Sequence, residues 1–301
     1  MAKIKISLFN TFLMLTLIVF WGSSFIVVKI ALDDGLTPIA VATFRFLVAG
    51  GLFFTTLLKK NWKYRNILPV ERRDLPTLLI LALSGVTFFF TAQYTGIQMA
   101  SPSVAAIFVC LLSPIVIAVF STILLHERLT KKQVLGIAIA PAGTYVTITG
   151  GSLSFSGGEN FLFGSLVLLT TPFLWSIYSL LGKRLMEKYD PFDLAANVTI
   201  LGALCLLPFS LLENSLAQIL TMSLRGWLAI LYLSITCSLL GYYIWMYVLK
   251  EVGATITSSF LFAEPLVTIV FGVIFIQERL NAFICVGTLL IFLGVYLVTA
   301  R

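Results

Sequence analysis

Charged residues are scarce in this chain of 301 amino acids, and their scarcity excludes most classes of soluble protein. Asp, Glu, Lys and Arg make up 11% of the sequence, whereas hydrophobic residues make up 59%. Soluble globular domains carry charge on about a quarter of their residues. So few charges cannot cover an aqueous surface, and the composition therefore predicts a protein that lies in a lipid bilayer.

Histidine and cysteine are also rare, which limits the chemistry available to the chain. There is one histidine, and the four cysteines lie inside apolar runs without metal-ligand spacing. The sequence also lacks a Gly-rich phosphate-binding loop and a His-Glu-x-x-His motif. We therefore predict no enzyme activity, no metal and no cofactor.

Long apolar runs of about 20 residues, separated by short polar connections, are what the chain has in abundance. Helix is the expected state of each run, because in lipid every backbone polar group must be satisfied within its own segment. We predict an all-α integral membrane fold with ten transmembrane helices. The predicted spans are 8–30, 37–58, 76–98, 103–125, 132–150, 160–182, 191–212, 225–248, 254–276 and 281–300.

Lys and Arg are distributed unevenly between the two predicted sides of the membrane. One side takes sixteen basic residues and the other takes only Arg225 and Arg279. The sixteen are Lys3, Lys5, Lys59, Lys60, Lys63, Arg65, Arg72, Arg73, Arg128, Lys131, Lys132, Lys183, Arg184, Lys188, Lys250 and Arg301. Because basic loops stay in the cytoplasm, both termini are predicted to lie there, in a plasma or inner membrane. Contact with anionic lipid explains the basic balance without nucleic acid as a partner.

One stretch of sequence occurs twice, 151 residues apart. Residues 113–129 read SPIVIAVFSTILLHERL and residues 264–280 read EPLVTIVFGVIFIQERL, with eight of seventeen positions identical. The repeat unit is therefore about half the chain. Each half holds five predicted spans, and an odd number makes the second half enter the membrane from the opposite side. We predict two inverted repeats, 8–150 and 160–300, joined by a Gly/Ser-rich linker at 151–159.

Two prolines and one acid mark the predicted middle of the membrane. Pro114 and Pro265 occupy matching places in the two repeats, and each should disturb its helix and contribute to gating. Glu264 precedes Pro265, and a carboxylate at this depth costs roughly 2.5–3.5 kcal/mol on insertion scales. It is expected to face a cavity and hold a cationic substrate group or a transported proton. A structural hydrogen bond to a neighbouring helix is the alternative.

Two cations also fall within predicted spans. Arg45 is expected either to pair with Glu264, to hold a substrate carboxylate, or to brace neighbouring helices. Lys29 lies near the outer end of the first span, four residues before Asp33. A local ion pair within one helix and a gate or substrate contact both fit that spacing.

Amide and aromatic side chains complete the candidate substrate site. Gln93 and Tyr94 lie in the third span, Trp175 in the sixth and Tyr242 in the eighth. Amphipathic aromatic residues suit a cavity for flat or amphiphilic solutes, and they also suit the membrane interface.

The ends of both repeats share two further motifs. Glu-Arg-Leu at 127–129 and 278–280 follows the fourth and ninth spans and is interpreted as a structural helix end. Gly143 and Gly287 belong to pairs of glycines that let helices approach closely. Packing within the fold and a homodimer contact would both use such glycines.

Taken together, these features resemble the EamA branch of the drug/metabolite transporter superfamily. The likeness rests on Trp-Gly-Ser-Ser-Phe at 21–25, Phe-Arg-Phe at 44–46, and the Pro…Glu-Arg-Leu…Gly…Gly ends of both halves. The resemblance implies a ten-helix fold with spans one to four and six to nine around a central cavity and spans five and ten peripheral. It also implies export or uptake of small solutes by alternating access. Glu264-Pro265 matches a recurring Glu-Pro of that family, whereas Ser113 stands where a first-half carboxylate would make the mechanism symmetric.

The function predicted from these features is secondary transport of small organic solutes such as amino acids or related metabolites, with export as the expected direction. Proton coupling is one way to drive it. A flippase for lipids or lipid-linked sugars is the first alternative and would need a lateral opening to the bilayer. An integral-membrane enzyme would need a catalytic cluster at one interface, and a non-transporting receptor or scaffold would not need charges in mid-membrane.

Overall fold

The structure is a computed structural model that describes residues 7–61, 70–125, 131–149, 158–278 and 282–299. Within these ranges the regular elements are all helical, which confirms the predicted all-α class. The α-helices are α1 Leu8–Asp33, α2 Pro38–Asn61, α3 Leu75–Ala82, α4 Phe88–Met99, α5 Pro102–Ala106, α6 Leu112–Leu125, α7 Lys131–Thr149, α8 Glu159–Leu168, α9 Thr171–Leu185, α10 Pro191–Leu212, α11 Leu224–Tyr232, α12 Gly241–Val252, α13 Ala254–Ser259, α14 Glu264–Phe275 and α15 Ala282–Thr299.

Several helices join end to end into longer apolar segments. Seven segments of the described residues are long and apolar enough to cross a membrane. They are Leu8–Asp33, Pro38–Lys60, Arg72–Met99, Glu159–Leu185, Pro191–Leu212, Leu224–Val252 and Ile256–Phe275. Their length and composition confirm a membrane protein with multiple spanning helices.

Local sequence fixes where the helices begin and turn. Ser7 and Ser101 accept hydrogen bonds from backbone N–H groups of α1 and α5, as N-cap residues do. Pro191 stands at the first position of α10, where a missing N–H costs nothing. Gly35 and Gly253 have φ values of +94° and +88°, which glycine adopts without steric cost, and each ends one helix before the next begins.

The long segments contain turns that are not α-helical, which the sequence did not predict as such. π-Helical turns occupy Leu83–Thr87 between α3 and α4, Ile107–Leu111 between α5 and α6, and Leu233–Leu240 between α11 and α12. A 3₁₀ turn, Phe260–Ala263, separates α13 from α14. π-Helical turns of this kind often occur at functional sites, and these adjoin one cavity.

The prolines of the repeat lie next to two of these turns. Pro114 is the third residue of α6, directly after the π-helical turn, and Pro265 is the second residue of α14, directly after the 3₁₀ turn. Each proline removes one backbone donor. The chain is therefore irregular at both predicted positions, with a different irregularity in each half.

Two helices near the ends of the matched stretches, α7 and α15, pack along each other. A Cβ atom at Gly143 would lie 2.7 Å from the carbonyl oxygen of Gly287 and 2.7 Å from Cγ1 of Ile291. Such a close approach needs a residue without a side chain. These glycines are therefore used for packing within the fold.

Polar contacts tie distant parts of the chain together at the helix ends. Asp74 accepts hydrogen bonds from Lys188 at 3.0 Å and from the Tyr189 hydroxyl at 2.7 Å. At another loop, Asp34 accepts from the Ser223 hydroxyl at 2.6 Å. Both contacts join a turn between two long helices to the start of a third.

Candidate functional site

A buried cavity lies where the irregular turns meet. Its volume is about 40 Å³, which is room for a few water molecules and lies below the roughly 300–1,000 Å³ that is typical of small-molecule sites. The lining comes from α1, α2, α4, α6, α9, α12, α14 and the turns beside them. The lining residues are Trp21, Ser24, Phe25, Arg45, Phe89, Phe90, Gln93, Val109, Cys110, Ser113, Trp175, Tyr242, Leu261 and Glu264.

Five of the six residues predicted from the sequence line this cavity: Arg45, Gln93, Trp175, Tyr242 and Glu264. The sixth, Tyr94, is buried beside it and touches Arg45. The structure thus brings together side chains that are up to 219 positions apart in the sequence. Gln98 and Tyr243, which are polar residues of the same helices, are exposed and do not line the cavity.

The guanidinium group of Arg45 is 2% exposed and is held by neutral partners. Its Nε donates to Ser238 Oγ at 2.6 Å, and its Nη1 donates to the Tyr94 hydroxyl. Its Cζ lies 4.4 Å from the centre of the Phe90 ring, a cation–π distance. These contacts fix the orientation of the cation and leave its charge uncompensated within the described part of the chain.

The carboxyl group of Glu264 is 3% exposed and stands at the start of α14. Its Oε2 accepts a hydrogen bond from the Cys110 thiol at 3.1 Å, while Oε1 has no hydrogen-bond partner among the described residues. The ion pair with Arg45 that the sequence allowed is not formed in this part of the chain, because both groups have other partners. The cavity therefore contains a separate cation and acid.

Aromatic rings form the apolar walls. The rings of Trp21 and Trp175 lie 5.4 Å apart in an edge-to-face arrangement, and Trp245 lies 5.2 Å from Trp175 behind them. Phe89 packs against Trp175 at 5.1 Å. Aromatic contacts of this geometry give a rigid apolar wall at little conformational cost.

Two of the rings also hold the π-helical turns. Trp21 Nε1 donates to the carbonyl oxygen of Cys237 at 2.9 Å, and the Tyr242 hydroxyl donates to that of Gly85 at 2.5 Å. Both acceptors lie within π-helical turns, where the backbone is irregular. The walls of the cavity are thus bonded to segments of irregular helix.

Three polar atoms of cavity residues are buried without a hydrogen-bond partner among the described residues. They are Gln93 Oε1, Trp175 Nε1 and Glu264 Oε1. A buried polar group that lacks a partner costs about 1–3 kcal/mol, and native proteins seldom retain several in one place. The donor and the two acceptors belong to residues that line one cavity, where a polar ligand could supply their partners.

Lys29 lies apart from the cavity lining. Its Nζ is 2.5 Å from Asp33 Oδ1, and both side chains are partly exposed near the end of α1. The local i,i+4 pair that the spacing predicted is therefore present. A role of Lys29 as a gate stays a prediction.

Several residues that line the cavity were not predicted from the sequence, among them Cys110, Phe89 and Phe90. Cys110 could have been found from the repeat offset of 151 residues. Cys110 corresponds to Leu261 just as Ser113 corresponds to Glu264, and all four line the cavity. The two phenylalanines carry no such signal, because that residue type is common throughout the apolar spans.

Two other features of the described residues bear on the alternatives. A groove between α1 and α11 is lined by Ile30, Arg225 and Tyr232 among others, and it shares no residue with the lining of the cavity. No group of three or more His, Cys, Asp or Glu side chains in the described ranges could hold a metal ion. His126, the Glu-Arg-Leu motif at 127–129, Arg279 and the linker at 151–157 lie outside those ranges.

Comparisons with known proteins show which family the chain belongs to. The sequence model of the EamA-like transporter family matches residues 8–149 and 162–300. A protein of Archaeoglobus fulgidus named "Uncharacterized transporter" is 30% identical over 289 residues, which cover 96% of each chain. A Salmonella typhimurium protein named "Probable amino-acid metabolite efflux pump" is 26% identical and covers 95% of this chain and 93% of its own. A crystal structure covering 96% of both chains has a TM-score of 0.64 at 20% identity, which shows a shared fold.

Proposed function

The chain belongs to the EamA-like transporter family, and we propose that it is a secondary transporter that exports small zwitterionic solutes, amino acids or related metabolites, by alternating access. The relative named as an amino-acid metabolite efflux pump supports both the solute class and the direction. The family match and the relatives named as transporters favour solute transport over the enzyme alternative.

One observation carries the proposal: a single buried cavity holds one cation and one acid that do not neutralise each other. Arg45 and Glu264 come from α2 and α14, and both line the cavity. Two separate buried charges are costly unless each finds a partner. A zwitterionic amino acid offers a carboxylate to the guanidinium and an ammonium group to the carboxylate, and so would compensate both.

The other cavity groups would select the rest of the solute. The Trp175 N–H and the Gln93 side-chain oxygen, which lack partners among the described residues, offer a donor and an acceptor. Trp21, Phe89 and Tyr242 offer apolar faces. Amphipathic and flat side chains bind well in such a site. We propose that Tyr94 contributes indirectly, by orienting Arg45.

Alternating access is proposed to move two inverted five-helix repeats, 8–150 and 160–300, around the cavity. The family match in two parts, 8–149 and 162–300, supports this division. The irregular turns beside Pro114 and Pro265 supply places where one half can bend against the other. The excess of basic residues on one side supports a plasma or inner membrane location with both termini in the cytoplasm.

Proton coupling through Glu264 is the proposed source of energy. Its carboxyl group is buried, lines the cavity and has one oxygen without a partner in the described ranges. Such a group can hold either a proton or the ammonium group of a solute, and competition between the two would exchange protons for solute. The flippase alternative would need a lateral opening, whereas the groove beside α11 and the cavity lining have no residue in common within the described ranges.

The experiment that tests the solute class is counterflow in proteoliposomes with matched compounds. Each standard amino acid is first tested as the counterflow substrate. The methyl ester and the N-acetyl derivative of the best substrate are then tested as competitors of its transport. The ester lacks the carboxylate and the N-acetyl compound lacks the ammonium group. We expect each derivative to compete at least about tenfold less well, because each leaves one buried charge uncompensated.

Two variants test which cavity residue binds the carboxylate of the solute and which binds its ammonium group. Arg45→Gln should bind the free amino acid and its ester alike, and Glu264→Gln should bind the free amino acid and its N-acetyl derivative alike. Glu251→Gln, at an exposed position near the end of α12, is the matched control and should discriminate as the wild type does. A wild type that does not distinguish the three compounds would refute the zwitterion site.

A further inference from the structure

The carboxyl group of Glu278 joins the end of α14 to the start of α5. After α14 ends at Phe275, the left-handed conformation of Gln277, with φ 51°, turns the chain back. Glu278 Oε2 accepts a hydrogen bond from Ser103 Oγ at 2.8 Å, and Oε1 accepts a longer one from the Ser103 backbone N–H at 3.4 Å. The two helices belong to different proposed halves, so this contact crosses between them.

Neighbouring groups fix the geometry of the contact between Ser103 and Glu278. Ser103 is fully buried, and the Glu278 backbone N–H donates to the carbonyl oxygen of Gly272 at 3.0 Å. A Cβ atom at Gly272 would lie 2.7 Å from Glu278 Oε2. A side chain at this position would displace the carboxyl group, so the contact as observed depends on Ser103, Gly272 and Glu278 together.

The repeat offset shows that the opposite end of the molecule lacks two of these three residues. Ser103 corresponds to Ala254, which has no hydroxyl group to donate. Gly272 corresponds to Ser121, which has a side chain. The matching acid, Glu127, lies outside the described residues. The sequence nevertheless shows that this end has neither the serine hydroxyl donor nor the glycine that leaves space for the carboxyl group. The two ends of an otherwise repeated architecture therefore differ at this contact.

We propose that the Ser103–Glu278 link is a latch that keeps the external end closed, so that the resting protein presents its cavity to the cytoplasm. The inference rests on the proposed function, because the orientation of the chain and alternating access are part of it. In that orientation α14 ends and α5 begins on the external side. A resting cavity that faces the cytoplasm is the state in which an exporter loads its substrate.

The size of the effect follows from the two hydrogen bonds. Hydrogen bonds to a charged group are stronger than those between neutral groups. Losing them should shift the equilibrium between closed and open external ends by about tenfold or more. The cytoplasmic end has no matching serine donor, so the same loss cannot occur there.

The native Cys110 thiol provides a reporter, because it lines the cavity. Intact cells or right-side-out vesicles are treated with a membrane-impermeant methanethiosulfonate that carries a trimethylammonium group. Peptide mass spectrometry then follows modification of Cys110 separately from the other cysteines, so the chain keeps its natural residues. Inside-out vesicles give the rate from the cytoplasmic side. No transported solute is required, so the result is independent of the substrate proposed above.

Three variants break the latch in different ways. Ser103→Ala removes the donor, Glu278→Gln removes the charge, and Gly272→Ala displaces the carboxyl group. The matched control is Ser101→Ala, which removes the N-cap hydrogen bond of the same helix to Val104 without touching Glu278. Size-exclusion profiles in detergent confirm that each variant is folded.

We expect wild-type Cys110 to react slowly from outside and the three latch variants to react at least about tenfold faster, with Ser101→Ala within about twofold of wild type. Rapid reaction of the wild type from outside would overturn the proposed resting state. An equal effect of Ser101→Ala and Ser103→Ala would overturn the latch, because helix capping alone would explain it. Acceleration from the cytoplasmic face alone would overturn the proposed orientation.

Discussion

Single residues decide what the cavity can hold, and Arg45 is the clearest case. Its cation is oriented by Ser238, Tyr94 and the face of Phe90 rather than by an acid. A guanidinium held in this way keeps its charge available for a ligand. Arginine and lysine are not equivalent at such a position, because only the planar group can stack and donate from several nitrogens at once.

Arg45→Lys and Tyr94→Phe should therefore weaken transport to different degrees. We expect Arg45→Lys to lower counterflow strongly, since the ammonium group cannot keep both hydrogen bonds and the stacking. Tyr94→Phe retains the cation and loses one hydrogen bond, which corresponds to a loss of about tenfold in apparent affinity. Tyr243→Phe, at the exposed neighbour of Tyr242, should change nothing. Equal activity of Tyr94→Phe and Tyr243→Phe would exclude a role for the Tyr94 hydroxyl.

The two cavity tryptophans should respond in opposite ways to loss of the indole N–H. Trp21→Phe leaves the buried carbonyl oxygen of Cys237 without its donor, and we expect a destabilisation of about 1–3 kcal/mol. Trp175→Phe removes an N–H that has no partner in the described chain, so the melting temperature should hold while solute affinity falls. Differential scanning fluorimetry and competition in counterflow measure the two effects. A loss of stability in Trp175→Phe with unchanged affinity would contradict the assignment of its N–H to the solute.

The polar members of the cavity could be predicted from sequence because a polar or charged side chain inside an apolar span needs a reason to be there. Arg45, Gln93 and Glu264 were found in this way. Cys110 and Phe90 were not, because a thiol and a phenyl ring are ordinary in a membrane helix. The partners of Arg45 also could not be predicted, since they depend on how α2 packs against α4 and the π-helical turn before α12.

Helices are positioned here by close contacts that only glycine permits. A Cβ atom at Gly22 of α1 would lie 2.7 Å from Cβ of Val267 and 2.9 Å from the carbonyl oxygen of Glu264 in α14. The backbone oxygen cannot move without moving the start of α14, and that start carries the Glu264 carboxyl group. The spacing of two helices is thus linked directly to the site.

Gly22→Ala should therefore lower both the melting temperature and transport, whereas Gly51→Ala should not. A Cβ atom at Gly51 of α2 meets nothing within 4 Å, and alanine is favoured over glycine inside a helix by about 0.5–1 kcal/mol. The same substitution is thus predicted to be harmful at one position and neutral or stabilising at the other. Fluorimetry and counterflow on the two purified variants decide the matter. Similar behaviour of both would mean that the α1–α14 distance is not critical.

Helix positions followed from hydropathy, whereas the irregular turns did not. Pro114 and Pro265 pointed to disturbed helices, and the structure has a π-helical turn before one and a 3₁₀ turn before the other. Leu83–Thr87 contains no proline, and its pattern resembles that of any apolar helix. Its carbonyl at Gly85 accepts a hydrogen bond from Tyr242, 157 residues away. Such a turn is stabilised by tertiary contacts, which a local pattern does not contain.

For the molecule as a whole, family and membrane class were predictable because they depend on composition and on motifs spread along the chain. The resemblance to the EamA family is confirmed by a match to most of the chain. The contact made by Glu278 was not foreseen, because the Glu-Arg-Leu motif was interpreted as a helix end. In the structure its Glu278 carboxyl group reaches Ser103 of another helix.

The central claim is that Glu264 in the buried cavity exchanges protons for solute, and transport under an imposed pH gradient tests it most directly. Proteoliposomes containing wild type, Glu264→Gln or Glu251→Gln take up the solute identified by counterflow, with and without an outward proton gradient. The quantity compared is the ratio of the two accumulations, which does not depend on affinity. We predict that the gradient raises accumulation in wild type and Glu251→Gln and leaves Glu264→Gln unchanged. A wild type that ignores the gradient, or a Glu264→Gln variant that keeps the full stimulation, would contradict the claim.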